Sequence, residues 1–311
     1  MTKGGATTVN LEQDKFDKLK IFGGKKITST YHNKLSLSNY RIPPPHCRSS
    51  RPLTSVFLVL LIGSVINSSA TYDPIIRFPT TRTMTVDSRS HSDDDSLYCA
   101  SWHLAAETNN AGVWTQIPSR CYSYVKYYMT GKRYDSDCEV VANFSLAFAS
   151  TVQIDPDGKD AWIFDIDEAL LTNLRYYMEH GFGSEIFNES CWDKWVALAK
   201  APAIPSSLNL YNALKQMGFK IFVLTGRSEH QRQDTSKNLE LAGYTGWEGL
   251  ILRGASDKGI PATVYKSERR SVLVNGGYRI QGSTGDQWSD LLGFAMAKRS
   301  FKLPNPMYYI P

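Results

Sequence analysis

The sequence predicts an α/β fold, a Rossmann-like parallel sheet flanked by helices. Three observations predict it. Short apolar runs suited to strands end in polar groups near 165, 225 and 253, with a fourth run at 278–281. Helix-patterned segments separate these runs, the alternation that builds parallel sheets from strand–helix–strand units. The first run, Ala161-Trp162-Ile163-Phe164, has no polar alternation, as in a strand buried on both faces, and it stops in Asp165-Ile166-Asp167. An apolar strand ending in acid is costly unless positive charge compensates for it. The D-x-D pair therefore marks the carboxyl edge of the sheet, where open α/β folds bind ligands. A carboxylate there can attack a substrate or hold a metal.

The 311-residue chain has a formal net charge of +5. Residues 1–70 hold ten Lys/Arg against three Asp/Glu, leaving 25 basic and 27 acidic residues for the rest. The basic excess is confined to the leader, so the body gives no electrostatic case for nucleic acid. Residues 56–66 are an apolar run with Arg48 and Arg51 before it and Ser68-Ser69-Ala70 after it. This is the layout of a signal peptide and is short for a membrane span. Cleavage near Ala70 and export through the secretory pathway, to the exterior or the vacuole, are expected; anchoring by segment 55–70 is the alternative. Cys99, Cys121, Cys138 and Cys191 allow three full pairings. Asn143-Phe144-Ser145 and Asn188-Glu189-Ser190 are glycosylation sequons.

The expected plan is a leader over 1–70, a polar linker over 71–96, and a catalytic domain over 97–311 with a cap insertion at about 172–205. The aromatic stretch 98–148 predicts an N-terminal helical subdomain, clamped by its cysteines onto the core. It comprises a short helix and turn at 102–114, a helix over 120–130 and another over 143–150. Asp155-Pro156-Asp157-Gly158 turns into the first strand. In the cap, 188–200 is helical and closed by Pro202 and Pro205. Ser206 or Ser207 caps the next helix, which Gly218 ends. The strand over 219–227 brings Thr225 to the edge that carries Asp165, and a helix from about 228 to 242 offers free N–H groups to an anion. After the strand at 249–253, a helix opening at Val264 brings Lys266 to the same edge. The strand at 278–281 leads into a Gly-framed stretch in which Asp286 and Asp290 sit four apart, able to meet one cation.

Phe164-Asp165-Ile166-Asp167-Glu168, Leu224-Thr225-Gly226-Arg227, Tyr265-Lys266-Ser267-Glu268-Arg269-Arg270, Gly285-Asp286-Gln287-Trp288-Ser289-Asp290 and the ending from Ser300 to Tyr309 together resemble plant class B acid phosphatases and vegetative storage proteins, of the haloacid dehalogenase superfamily. The resemblance runs from about Cys99 to the C-terminus. It implies hydrolysis of small phosphate monoesters through an aspartyl-phosphate on Asp165, with Asp167 as acid and then base. It implies that Thr225, Gly226 and Lys266 bind the phosphoryl oxygens. Mg²⁺ would be held by Asp165, the Asp167 main-chain carbonyl and Asp286, with Asp290 steadying the site. A homodimer is left open. Ala169 stands where the superfamily usually has Thr or Val, and the missing hydroxyl is expected to slow the reaction. The alternative function is a vegetative storage glycoprotein with weak or incidental phosphatase activity.

Overall fold

The computed structural model describes residues 91–311, with side chains from Asp94 onward. The leader, its signal-like run and most of the expected linker lie outside the described residues. Among the described residues, five strands pair in parallel: β1 (Asp160–Phe164), β2 (Lys220–Ser228), β3 (Gly249–Arg253), β4 (Arg279–Gly285) and β5 (Arg299–Lys302). Their spatial order is 3-2-1-4-5, so β1 is central.

The central position explains the unbroken apolarity of β1. Trp162 and Phe164 pack into one layer with Leu210, Tyr211, Ile221 and Val223. Ala161 and Ile163 point to the other, with Phe222, Leu224, Tyr265 and Leu273. Burying each large apolar side chain contributes about 1.5–3 kcal/mol, and here both faces of the strand do so. Trp162 lies flat against Phe301, ring centroids 5.6 Å apart. A Cβ on Gly282 would collide with the Trp162 ring, so this position of β4 requires glycine.

The helices are α1 (His91–Glu107), α2 (Tyr122–Thr130), α3 (Lys132–Ala149), α4 (Leu174–Glu179), α5 (Glu189–Ala197), α6 (Pro205–Gln216), α7 (Arg232–Leu241), α8 (Ala262–Asn275) and α9 (Trp288–Leu291). Several depart from the expected boundaries. α1 begins inside the segment expected as linker and is 17 residues long. α3 starts well before 143 because Tyr134, Cys138, Ala142, Ser145 and Ala149 form one buried stripe at helical spacing, which its otherwise polar first turns conceal. α6 has no serine cap: Ile204 precedes it and Pro205 opens it, where a missing N–H costs nothing. β5 is unforeseen, because only Phe301 of its four residues is buried.

The cysteines also differ from expectation. Cys99 and Cys121 form a disulfide that joins α1 to the start of α2, inside the helical subdomain and not onto the core. Cys138 is a buried free thiol that burial pushes up to about 12. The subdomain is fastened to the sheet by apolar packing of Ala142, Phe148 and Ala149 of α3 against Trp162 and Phe301, and by Glu107. The Glu107 carboxylate accepts from Lys302 Nζ (2.5 Å) and Asn305 N (2.8 Å), and its carbonyl from Trp288 Nε1 (3.1 Å).

Candidate active site

β1 delivers Asp165 one residue past its end, and the Asp165 N–H donates to the Thr284 carbonyl of β4 (3.0 Å). Asp165 Oδ1 accepts from Lys266 Nζ at 2.7 Å. Lys266, in the first turns of α8 and only 5% exposed, also pairs with Asp290. Asp286 follows β4 directly. Its Oδ2 accepts from Gln287 Nε2 and Asn305 Nδ2, both at 2.7 Å, whereas its Oδ1 is buried with no hydrogen-bond partner. Asp290 folds back over the strand end, its Oδ2 accepting from Gln287 N (2.9 Å). A Cβ on Gly285 would fall on that carboxyl group, so glycine is what admits it. One oxygen from each of Asp165, Asp286 and Asp290 lies within 4.8 Å of the others.

Three buried carboxylates thus face one ammonium. Burial pushes the Asp165 carboxyl well above the ordinary range; Lys266 opposes this, and Asp290 and Asp286 reinforce it. Burial, then the neighbouring Asp290, takes Asp286 up to about 8. Burial works against the Lys266 charge, but Asp165 and Asp290 outweigh it and hold the ammonium above its ordinary range. The surplus negative charge calls for protons or for a cation. An oxygen-only donor set that includes one unpartnered buried carboxylate oxygen fits a hard divalent ion. Asp290 already has a partner on each oxygen, which suits a steadying position behind Asp165 and Asp286.

Asp167 stands outside this cluster. Arg227 grips it through Nη2 (2.7 Å) and Nε (3.1 Å), and Asn173 Nδ2 donates to it at 2.9 Å. The β2–β3 register slips between Leu224 and Ser228, so Thr225, Gly226 and Arg227 leave the ladder as an irregularity of the kind that re-aims side chains. Thr225 is buried within β2, its Oγ1 accepting from Arg227 N (3.1 Å). Gly226 is exposed, with open space where a Cβ would stand, so its backbone is accessible to an incoming group. The helix expected from Ser228 begins at Arg232, after a single turn over Glu229–Gln231 that Ser228 caps.

The sequence reading brought Asp165, Asp167, Thr225, Lys266, Asp286 and Asp290 to one sheet edge; the structure gathers Asp165, Lys266, Asp286 and Asp290, with Asp167 on the loop after β1 and Thr225 within β2. The sequence reading gave no role to Arg227, Glu168, Asn173 or Asn305. Glu168 is fully buried at φ 54°, a left-handed conformation uncommon for a non-glycine residue. Asn173 N (2.6 Å) and the Tyr308 hydroxyl (2.8 Å) hold its carboxylate, and burial, then Asp167, raises its pKa to about 7. A third acid in an otherwise apolar run was the available signal. Arg227 lay inside the Leu224-Thr225-Gly226-Arg227 block, and its charge beside a doubly acidic loop was the clue. The cap meets this loop: Trp195 Nε1 donates to Asn173 Oδ1 (2.8 Å), and the Arg227 guanidinium lies 5.8 Å from the Trp192 ring.

Ala169 is fully buried, its N–H directed to the Ile166 carbonyl (3.2 Å). With Arg227 and Asn173 already holding Asp167, the expected benefit of a hydroxyl at 169 loses its basis. Both sequon asparagines are exposed. The Ser145 hydroxyl of the first is buried on the Val141 carbonyl (2.8 Å). Asn188 caps α5, with Oδ1 accepting from Cys191 N (3.0 Å).

The family described as HAD superfamily, subfamily IIIB (acid phosphatase) matches residues 83–311. "Acid phosphatase 1" of Solanum lycopersicum is 48% identical over 260 residues, covering 82% of this chain and 98% of that protein. "Vegetative storage protein 1" of Arabidopsis thaliana is 33% identical, covering 83% of this chain and 99% of that protein. Among solved structures, a class C acid phosphatase from Bacillus anthracis aligns with a TM-score of 0.51 at 23% identity, covering 60% of this chain and 84% of that one, a likeness of fold.

Proposed function

Because the chain belongs to the HAD superfamily, subfamily IIIB (acid phosphatase), we propose that it hydrolyses small phosphate monoesters with Asp165 as the nucleophile. The observation that carries this is the Asp165 carboxylate at the end of the central strand, 2.7 Å from a buried lysine and beside an Asp286 oxygen with no partner.

Asp165 attacks phosphorus as the ester P–O bond breaks, and Asp167 gives its proton to the leaving alkoxide. The resulting aspartyl-phosphate splits one difficult displacement into two easier ones. Asp167, now ionised, takes a proton from the attacking water, and inorganic phosphate leaves with Asp165 restored. Lys266, the Thr225 hydroxyl and the Gly226 N–H bind the phosphoryl oxygens as charge develops. Arg227 and Asn173 keep Asp167 in place between the two half-reactions. A divalent cation, proposed to be Mg²⁺, would be held by Asp165, Asp286 and the Asp167 carbonyl, and when bound it offsets the charge of the carboxylates and the phosphate. Storage glycoprotein with incidental phosphatase activity is the second reading, favoured by the storage-protein relatives; the complete set of Asp165, Asp167, Lys266 and Asp286 favours the enzyme.

We also propose export through the secretory pathway, with glycan on Asn188, Asn143 or both. The test of function is hydrolysis of p-nitrophenyl phosphate by the purified chain, with EDTA and with Mg²⁺ restored. Phosphate release that needs the cation is expected, together with a covalent phosphoryl adduct at Asp165 after acid quenching. Cation-independent turnover with no adduct would overturn the mechanism.

A further inference from the structure

The bonding of Asp286 is lopsided. Two amides donate to Oδ2 and none to Oδ1, although both oxygens are buried. A carboxylate that only needed satisfying in the interior would have its donors spread over both oxygens, because an unmet buried acceptor is costly. Neither donor is free to turn. Asn305 is 4% exposed, and its Oδ1 accepts from Met307 N (2.9 Å), which fixes which end of the amide faces Asp286. Gln287 is fixed likewise, its Oε1 accepting from Ile310 N (2.9 Å). The backbone of Asn305 is in turn held from outside the sheet, its N–H donating to Glu107 of α1, which Lys302 and His103 also engage.

We propose that Asn305 is a positioning residue for the cation site: by holding Asp286 Oδ2 it fixes the carboxyl rotation that presents Oδ1 to the ion. This rests on the cation reading above. Asn305 as a turn residue in the tail would account for the Met307 bond. It would not account for the amide N–H on Asp286, or for the oxygen opposite it having no partner. Partners behind a metal ligand typically set metal affinity by about 10–100-fold.

The experiment titrates Mg²⁺ and Mn²⁺ into the full chain by calorimetry, for the parent, Asn305→Ala and Gln287→Met. In each variant the cation Kd is expected to rise about 10–100-fold. The cation concentration for half-maximal activity should rise in parallel, so that the deficit shrinks as cation is added. A general loss of packing would not give that pattern. If Asn305→Ala does not fold, Gln287→Met decides, since it removes the other donor from the same oxygen. An unchanged Kd in the folded variants of a cation-binding parent would overturn the positioning role alone. A parent that neither binds the cations nor loses activity in EDTA would overturn the cation reading, and this role with it.

Discussion

Asp165→Asn separates what the site does from what the fold tolerates. In the cation-free protein, Asp165 lies within 4.8 Å of two other carboxylates and 2.7 Å from Lys266 Nζ. At an effective dielectric of about 20, each like-charge pair at that range costs at least ~3.5 kcal/mol, and the lysine pair returns ~6 kcal/mol. At a pH above the raised pKa values of Asp165 and Asp286, where all three carboxylates are ionised, removing the Asp165 charge relieves two repulsions and forfeits one attraction, a net gain of ~1 kcal/mol. Release from burying a charge adds to it. At such a pH the cation-free variant should be more stable than the parent by ~1–3 kcal/mol in urea unfolding. That advantage should shrink when Mg²⁺ is present, because the ion removes the same repulsion in the parent. Turnover should fall by about four to six orders of magnitude, the scale of removing a covalent nucleophile. A cation-free variant less stable than the parent by more than ~1 kcal/mol would refute the electrostatic account. A well-folded variant with near-parental kcat would refute the nucleophile.

Asp160, buried at the start of β1, accepts from Arg279 (3.0 and 3.1 Å), which holds its pKa below the ordinary carboxylate range against the opposing effect of burial. Its folded pKa lies below the unfolded value of about 3.9, so its stabilisation is present above that pH and is lost as the pH falls. Asp160→Asn should flatten the decline of the denaturation midpoint below about pH 4, and parallel profiles for the two proteins would count against the pair. Ala169→Thr should leave kcat unchanged or lower, since Asp167 is already held and the site is filled; a clear rise would restore the hydroxyl argument. Protein made in a secretory host should start near Thr71 and shift on glycosidase treatment, with Asn143→Gln and Asn188→Gln assigning the glycan. Unglycosylated protein retaining Met1 would exclude export.

The sheet was legible because β1 and β2 are apolar runs with polar ends, a pattern that burial on both faces enforces, and the half-buried edge strand β3 has the same polar end. The carboxylates and Lys266 were legible because charge at the end of a buried strand has few structural uses. What escaped was held by contacts distant in sequence. Asn305 meets Asp286 and Tyr308 meets Glu168 only after the tail passes the end of β4, and nothing local to Leu303-Pro304-Asn305-Pro306 announces it. The length of α3 escaped because each of its turns buries a single residue and the first turns are otherwise polar. The grip of Arg227 on Asp167 spans 60 residues and depends on the slipped β2 register, which no local propensity encodes.

A parallel sheet with its first strand at the centre is made early and completed late. Asp165 leaves the ribosome 101 residues ahead of Lys266, and Trp162 does so 122 residues ahead of Thr284. At about 5–20 residues per second, the emerging segment waits ~5–20 s for its ammonium. Until β2 follows to pair with it, Trp162-Ile163-Phe164 is an unpaired apolar strand, the sort of segment on which nascent chains stick together. Asp160 before it, and Asp165 and Asp167 after it, flank it with charge throughout. Asp165, which burdens the finished cation-free protein electrostatically, is thus one of the charges that guard its synthesis. Neutralising Asp165 should raise the stability of the folded, cation-free enzyme while lowering the fraction of chains that reach it.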